Sequence, residues 1–163
     1  MIDISIGRNL RLDNVVSYKC VFPMQNAEIS QNNADIIISK LENQIKMKGA
    51  KVVGPLIEHS VLHKNLDGGI DYSMALMFQA DKKIENVDMP FSFHPSICIR
   101  KCMFARFVGY EEDLHLAYKK MEVTAYEMSV RLKDNSYTVY VDTDIGNEKS
   151  TIDIFIEIEQ DED

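Results

Sequence analysis

The sequence predicts an α+β fold in which one β-α-β-β unit is used twice. Tyr18-Lys19-Cys20-Val21-Phe22 returns as Arg100-Lys101-Cys102-Met103-Phe104, an offset of 82 residues. Each copy is followed by an amphipathic helical pattern, Asn33 to Lys48 and then Glu111 to Leu132, and each helix by two strand-like runs. The order of elements carries more weight than the short match. It accounts for one domain of 163 residues, with repeat 1 over about 13–80, a linker over about 81–92 and repeat 2 over about 93–160. A chain of this length that is 45% hydrophobic can bury roughly 70% of its unfolded surface in a core.

The first 12 residues mix isolated apolar positions with Gly7, Arg8, Asn9 and Arg11, and read as an arm or short edge strand. Val15 to Met24 is rich in β-branched and aromatic residues and is ended by Pro23, which cannot donate to a sheet ladder. A polar stretch, Gln25 to Asn32, precedes the first helix. Asn33 fits its N-cap, Gly49 fits the left-handed C′ position, and Ala34, Ile37, Ile38, Leu41 and Ile45 form one apolar face. Lys51 to His63 reads as a strand interrupted at Gly54-Pro55. Asn65 to Gly69 then turns the chain into a second strand, Ile70 to Gln79. Asp81 to Pro90 is the linker.

The second repeat opens with an extended run, Ile97 to Val108. Glu111, Glu112 and Asp113 then sit where a helix macrodipole favours negative charge. Leu114, Ala117, Met121, Ala125, Met128 and Leu132 form the stripe of its helix. Asp134-Asn135 leads into a strand, Tyr137 to Thr143, and Asp144 to Asn147 leads toward the last one. In that last strand Ile152, Ile154, Ile156 and Ile158 alternate with Asp153, Phe155, Glu157 and Glu159 at a period of two. With the isoleucines under the helices, Asp153, Phe155 and Glu157 point to the opposite, helix-free face. The preceding strand sends Tyr137, Val139 and Val141 to one side and Thr138, Tyr140 and Asp142 to the other.

Composition excludes several classes of function. A formal charge of −8, with no basic stripe or Gly-rich phosphate loop, argues against direct nucleic-acid binding. No apolar run approaches the roughly 20 residues needed to cross a bilayer, and the N-terminus lacks a signal-peptide pattern, so no membrane association and a cytoplasmic location are expected. Three cysteines without a CxxC pair fit a reducing compartment. His59 and His63 would share a helix face. The flanking residues read as a strand, however, and four strand residues span roughly 13 Å, too far for one metal. The same arithmetic applies to Cys98 and Cys102. No metal site and no cofactor are expected.

Four segments, in order, resemble the GyrI-like family of bacterial effector-binding proteins. They are Gly54-Pro55, Asp71-Tyr72, Ala105-Arg106-Phe107-Val108-Gly109-Tyr110-Glu111 and Asp153-Ile154-Phe155-Ile156, and the resemblance covers roughly Val15 to Ile158. It implies antiparallel sheets with two main helices on one face and a cleft on the other. In that cleft an acid among aromatic rings binds drug-like, often cationic molecules, because a lipophilic cation relieves a carboxylate held in an apolar pocket. The family's glutamate falls on Asp153 here, and its usual strand proline falls on Glu157. The resemblance implies a ligand site of Asp153 as anchor, Phe155, Tyr140 and Tyr18 as rings, Glu157 as second acid, and Asp71. The residues themselves leave another reading open at each acid: Asp71 as a surface hairpin acid, Asp153 and Glu157 as a solvated strand face.

The family's sensors carry a DNA-binding segment for which the two repeats leave no room, so the resemblance implies a stand-alone small-molecule binder. A protein-interaction module is the alternative, in which the same acidic face or a sheet edge would take a basic protein partner. Some relatives hydrolyse small-ring compounds in a tryptophan-containing cleft. This chain has no tryptophan, which makes hydrolysis the minor alternative and leaves the chain more a binder than an enzyme.

Overall fold

The computed structural model describes residues 2–23, 31–64, 66–144 and 149–160. The side chains of residues 20–23, 31–33, 63–64, 70–72 and 143–144 lie outside that description. The elements run β1 (Ile2–Pro23), α1 (Gln31–Met47), β2 (Val52–Lys64), β3 (Ile70–Ala80), β4 (Phe91–Tyr110), a short 3-10 turn (Glu111–Asp113), α2 (Leu114–Glu127), β5 (Leu132–Asp144) and β6 (Lys149–Ile158). The fold is α+β, and among the described residues no helix is long and apolar enough to cross a membrane. The chain divides into two compact units, residues 11–97 and residues 1–10 with 98–163. In the first, β3 pairs antiparallel with both β1 and β2. In the second, β6 pairs antiparallel with both β4 and β5. Each unit thus repeats one strand order, and the duplication read from the order of elements is present in the backbone.

In the 11–97 unit, α1 lays Leu41 and Ile45 on Val16, Leu76, Phe78 and Ala80, with Ile37 and Ile38 at the margin. This is the apolar stripe that the spacing predicts. The helix ends in a Schellman closure, with Ala50 N bonded to Ile45 O at 3.1 Å and Gly49 N to Lys46 O at 3.0 Å. Gly49 supplies the left-handed residue at φ +79. Asn33 is no N-cap, because the helix already begins at Gln31. Gly54-Pro55 does not interrupt β2; the strand absorbs it as a shift of register between Val53 and Ile57. The linker is pinned to the unit. Ile84 is buried in the cluster, and Asp88 is held by the Gln44 side chain through its backbone N–H and carboxylate and by Lys48 Nζ at 3.2 Å. Those bonds, from Lys48 and Gln44, keep the Asp88 carboxyl below its usual range.

In the other unit the β6 isoleucines, 152, 154, 156 and 158, lie under Ala117, Met121 and Ala125 of α2, as the period of two predicts. Ile2, Ile4 and Ile6 pack against the same cluster. The first residues are therefore the opening half of a long strand, where an arm or edge strand was expected. Helix α2 ends earlier than its pattern. Val130 N bonds to Ala125 O at 2.8 Å and Ser129 N to Tyr126 O at 3.2 Å, the same closure as at Gly49, with Ser129 at φ +56. Leu132 consequently opens β5 instead of continuing the helix.

The closures also fix how the repeats correspond. Asp81 N bonds to Lys51 O in one unit as Glu159 N bonds to Arg131 O in the other, which makes Gln79 the counterpart of Glu157. Val15 lies opposite Gln79 and Cys102 opposite Glu157, so Cys102 corresponds to Val15 and not to Cys20. The duplication is real, but the matched pentapeptides are out of structural register and did not mark it.

A serine at a left-handed position carries strain that glycine lacks. Ser129→Gly should raise stability by about 0.5–1 kcal/mol, and Gly49→Ala should lower it by about 1 kcal/mol, in urea denaturation. A Cβ at Gly49 would meet nothing nearer than Lys82 Nζ at 4.0 Å, so the second loss would be conformational and not steric.

Candidate functional site

Residues directly opposed across antiparallel strands share a face. With the β6 isoleucines committed to α2, the helix-free face of the unit holding residues 98–163 includes three successive rows. Cys102 faces Glu157; Phe104 faces Phe155, which faces Tyr137; Arg106 faces Asp153, which faces Val139. The Phe104 and Phe155 rings are tilted at 56° with centroids 5.1 Å apart.

Asp153 does not stand as a lone acid. Arg106 donates from Nε to Oδ1 at 2.8 Å and from Nη2 to Oδ2 at 2.9 Å, a bidentate pair. The carboxylate side chain is 12% exposed and its arginine partner 49%. The anchor proposed from the resemblance is thus already neutralised from within the sheet. Glu157 is held by Asn135 Nδ2 at 2.8 Å and Lys133 Nζ at 3.1 Å. Burial pushes its carboxyl upward, but these two bonds and the lysine charge outweigh it and hold the group below its ordinary value. Burial, with Glu157 adding, pushes the Cys102 thiol up to about 11. The Tyr137 phenol is pushed up to about 12, by burial first, then by Glu157 and by Cys102. Both are neutral near pH 7, so neither is a ready nucleophile.

Two other expected rings lie elsewhere. Tyr140 faces Ile152 and packs into the cluster under α2. Tyr18 belongs to the 11–97 unit, where it packs in the α1 cluster with its ring 5.9 Å from that of Phe91. Both look toward a helix and neither lies on the helix-free face. Asp71 lies in β3 opposite Pro23 and His63, and its side chain is outside the described residues. The tyrosine that does occupy the face is Tyr137, which the β5 alternation places on the opposite side from Tyr140.

Beside the rows lies a concavity of about 320 Å³ lined by Asp3, Ile4, Ser5, Arg8, Phe104 and Arg106. Arg8 stacks on Phe104 with its guanidinium carbon 4.0 Å from the ring centroid, a cation–π contact. Gly7 at φ +100 breaks the alternation of β1, which lets Arg8 follow Asp3 and Ser5 into this lining. Arg8 and Phe104 were not chosen from the sequence, where no local pattern joins them; Arg106 stood within a quoted motif without a partner to reveal its role. In the 11–97 unit His94 lies in β4 with Nε2 3.2 Å from Ser17 Oγ. Ser17 is only 5% exposed, so this hydroxyl is not offered to a substrate. Among the described residues no group of three or more His, Cys, Asp or Glu could hold a metal ion.

No protein-family model matches the sequence, and no curated protein matches it. Solved structures do match in fold. The EcmrR C-terminal domain superposes with a TM-score of 0.66 at 14% identity, covering 98% of this chain and 99% of that one. EcmrR in its DNA complex matches at 0.64 and 12%, covering 98% of this chain and 58% of that one. A hydrolase of Listeria innocua matches at 0.52 and 12%, covering 97% and 91%. The fold is GyrI-like and α+β, as the order of motifs implied.

Glu157 gives the site a pH signature. A carboxyl whose folded value is depressed contributes stability that is present above its unfolded value and lost as pH falls through the folded one. Glu157→Gln should flatten the acid limb of a stability–pH curve below about pH 4.5 and, near neutrality, cost about 1–2 kcal/mol as the charge facing Lys133 is lost and one of the two acceptor oxygens becomes an amide donor. Urea midpoints across that range check both.

Proposed function

We propose that this chain binds a small organic molecule against the helix-free face of its 98–163 unit, with the Phe104 ring as the apolar contact. The observation that carries the reading is the concavity beside Phe104, about 320 Å³ in volume, whose lining sets a ring and an isoleucine among charged groups. The volume lies at the lower end of the range of small-ligand pockets, and the lining is more polar than most. The other face of the same sheet is filled by α2. The likeness to an effector-binding type of fold supports the reading without naming a ligand.

The ion pairs revise the expected mode of binding. A cation anchored on Asp153 would have to displace Arg106 from a bidentate pair and leave that guanidinium uncompensated. Aromatic contact is therefore the primary term. The protein-partner reading, in the form that uses the acidic face, loses support on the same ground, because Asp153 and Glu157 are both engaged. Hydrolysis also has less support: Cys102 and Tyr137 are held neutral and Ser17 is buried.

A thermal-shift screen against small aromatic compounds tests the proposal. A ligand at a hundred times its Kd stabilises by about 2.7 kcal/mol, which in a domain of this size moves the midpoint by roughly 5–10 °C. Hits should vanish in Phe104→Ala, compared with that variant's own unliganded midpoint. A broad panel with no shift, or hits indifferent to Phe104→Ala, would remove the site.

A further inference from the structure

The geometry points to an organic anion, a small aromatic carboxylate, as the class of ligand this concavity takes, with Arg8 seating its charge; the inference rests on the binding reading above. Four groups in the lining bear on charge or hydrogen bonding: Arg8, Arg106, Asp3 and Ser5. Their states differ. Arg106 is committed through Nε and Nη2 to Asp153, which leaves Nη1 outside the pair and fixes the plane of the guanidinium. Among the described residues Arg8 forms no salt bridge, and its contact is the Phe104 ring at 4.0 Å. A guanidinium lying on a ring keeps its N–H edge open to a carboxylate, whose two oxygens match that edge.

The Phe104 ring, 5% exposed with Arg8 over it, offers an aromatic ligand an edge beside the charge. Ring and charge are thus set side by side, as a small aromatic acid needs. Asp3 is the single acid in the lining and opposes an anion. That opposition gives the inference its sharpest consequence, because removing Asp3 should improve binding of an anion and impair binding of a cation. The net charge of −8 disfavours anions at long range, so recognition must come from the local Arg8 charge, with Arg106 adding only its Nη1 donor.

The test uses the full chain and three probes of one shape, naphthoate, neutral naphthamide and naphthylmethylammonium, titrated by calorimetry into the parent protein, Arg8→Gln, Arg8→Lys and Asp3→Asn. Arg8 is exposed, and thermal midpoints confirm that each variant is folded. Naphthoate should bind the parent at least about fivefold tighter than naphthamide. Arg8→Gln should abolish that preference, Arg8→Lys should retain part of it, and Asp3→Asn should tighten naphthoate about twofold. Naphthamide binding as well as naphthoate, preferred binding of the ammonium, or naphthoate affinity unchanged in Arg8→Gln would overturn the anion assignment while leaving a binding site in place. If none of the three binds, the binding reading and the anion assignment fall together.

Discussion

The pairing of Arg106 with Asp153 is the constraint on which the helix-free face depends. A carboxylate 8% exposed overall in the middle of a sheet is costly unless it is neutralised, and Arg106 is its direct cross-strand neighbour. That adjacency ties chemistry to register. A slip of one residue would swap the faces of β6, sending Asp153 into the cluster beneath α2 and an isoleucine into its place. The isoleucine row and the ion pair specify one alignment from opposite sides of the sheet. With that alignment set, Phe104 meets Phe155, and Arg8 finds the Phe104 ring to lie on.

Beyond the pair, the face grades from wet to dry. Arg106 is half exposed, whereas Cys102 and Tyr137 at the other end are buried and share Glu157 as a charged neighbour. Glu157 survives there as a carboxylate because Asn135 and Lys133 reach it. Burial first, with the Glu157 charge adding, keeps the neighbouring thiol and phenol protonated. This end is a satisfied polar network within the sheet. The reactive and recognisable chemistry lies toward Arg106 and Arg8, where side chains meet solvent. A shared fold does not by itself carry a shared anchor: the acid position the resemblance singled out is filled here by a paired aspartate, and the charged groups lining the concavity are Arg8, Arg106 and Asp3.

What the sequence disclosed follows from the range of each signal. Period-two alternation in β6 and helical spacing in α1 are local, and both place their residues on the side they predict. Gly49 announced a helix end because glycine favours the left-handed region, whereas Ser129 makes the same turn with a residue that gives no such sign. The apolar pattern running on to Leu132 therefore overstated α2. Choosing Tyr137 over Tyr140 required the register of β5 on β6, which no single strand reveals. Phe104 and Arg106 are neighbours on one face of β4, but Arg8 reaches them from β1. Their grouping exists only after pairing, and a glycine that breaks the alternation of β1 hid it further. The pentapeptide match misled for a related reason, since similar composition in two strands says nothing of which residues face the same neighbours.

A double-mutant cycle on Arg106 and Asp153, read by urea denaturation, tests most directly whether the pair holds this face. Arg106→Met strands a buried carboxylate and should cost about 2–3 kcal/mol. Asp153→Val leaves an arginine that can reach water and should cost about 1 kcal/mol. The double variant should be more stable than Arg106→Met alone, giving a strong coupling between the two sites. Additive losses, or an Arg106→Met variant within about 0.5 kcal/mol of the parent, would show that the pair does not bear the role assigned to it.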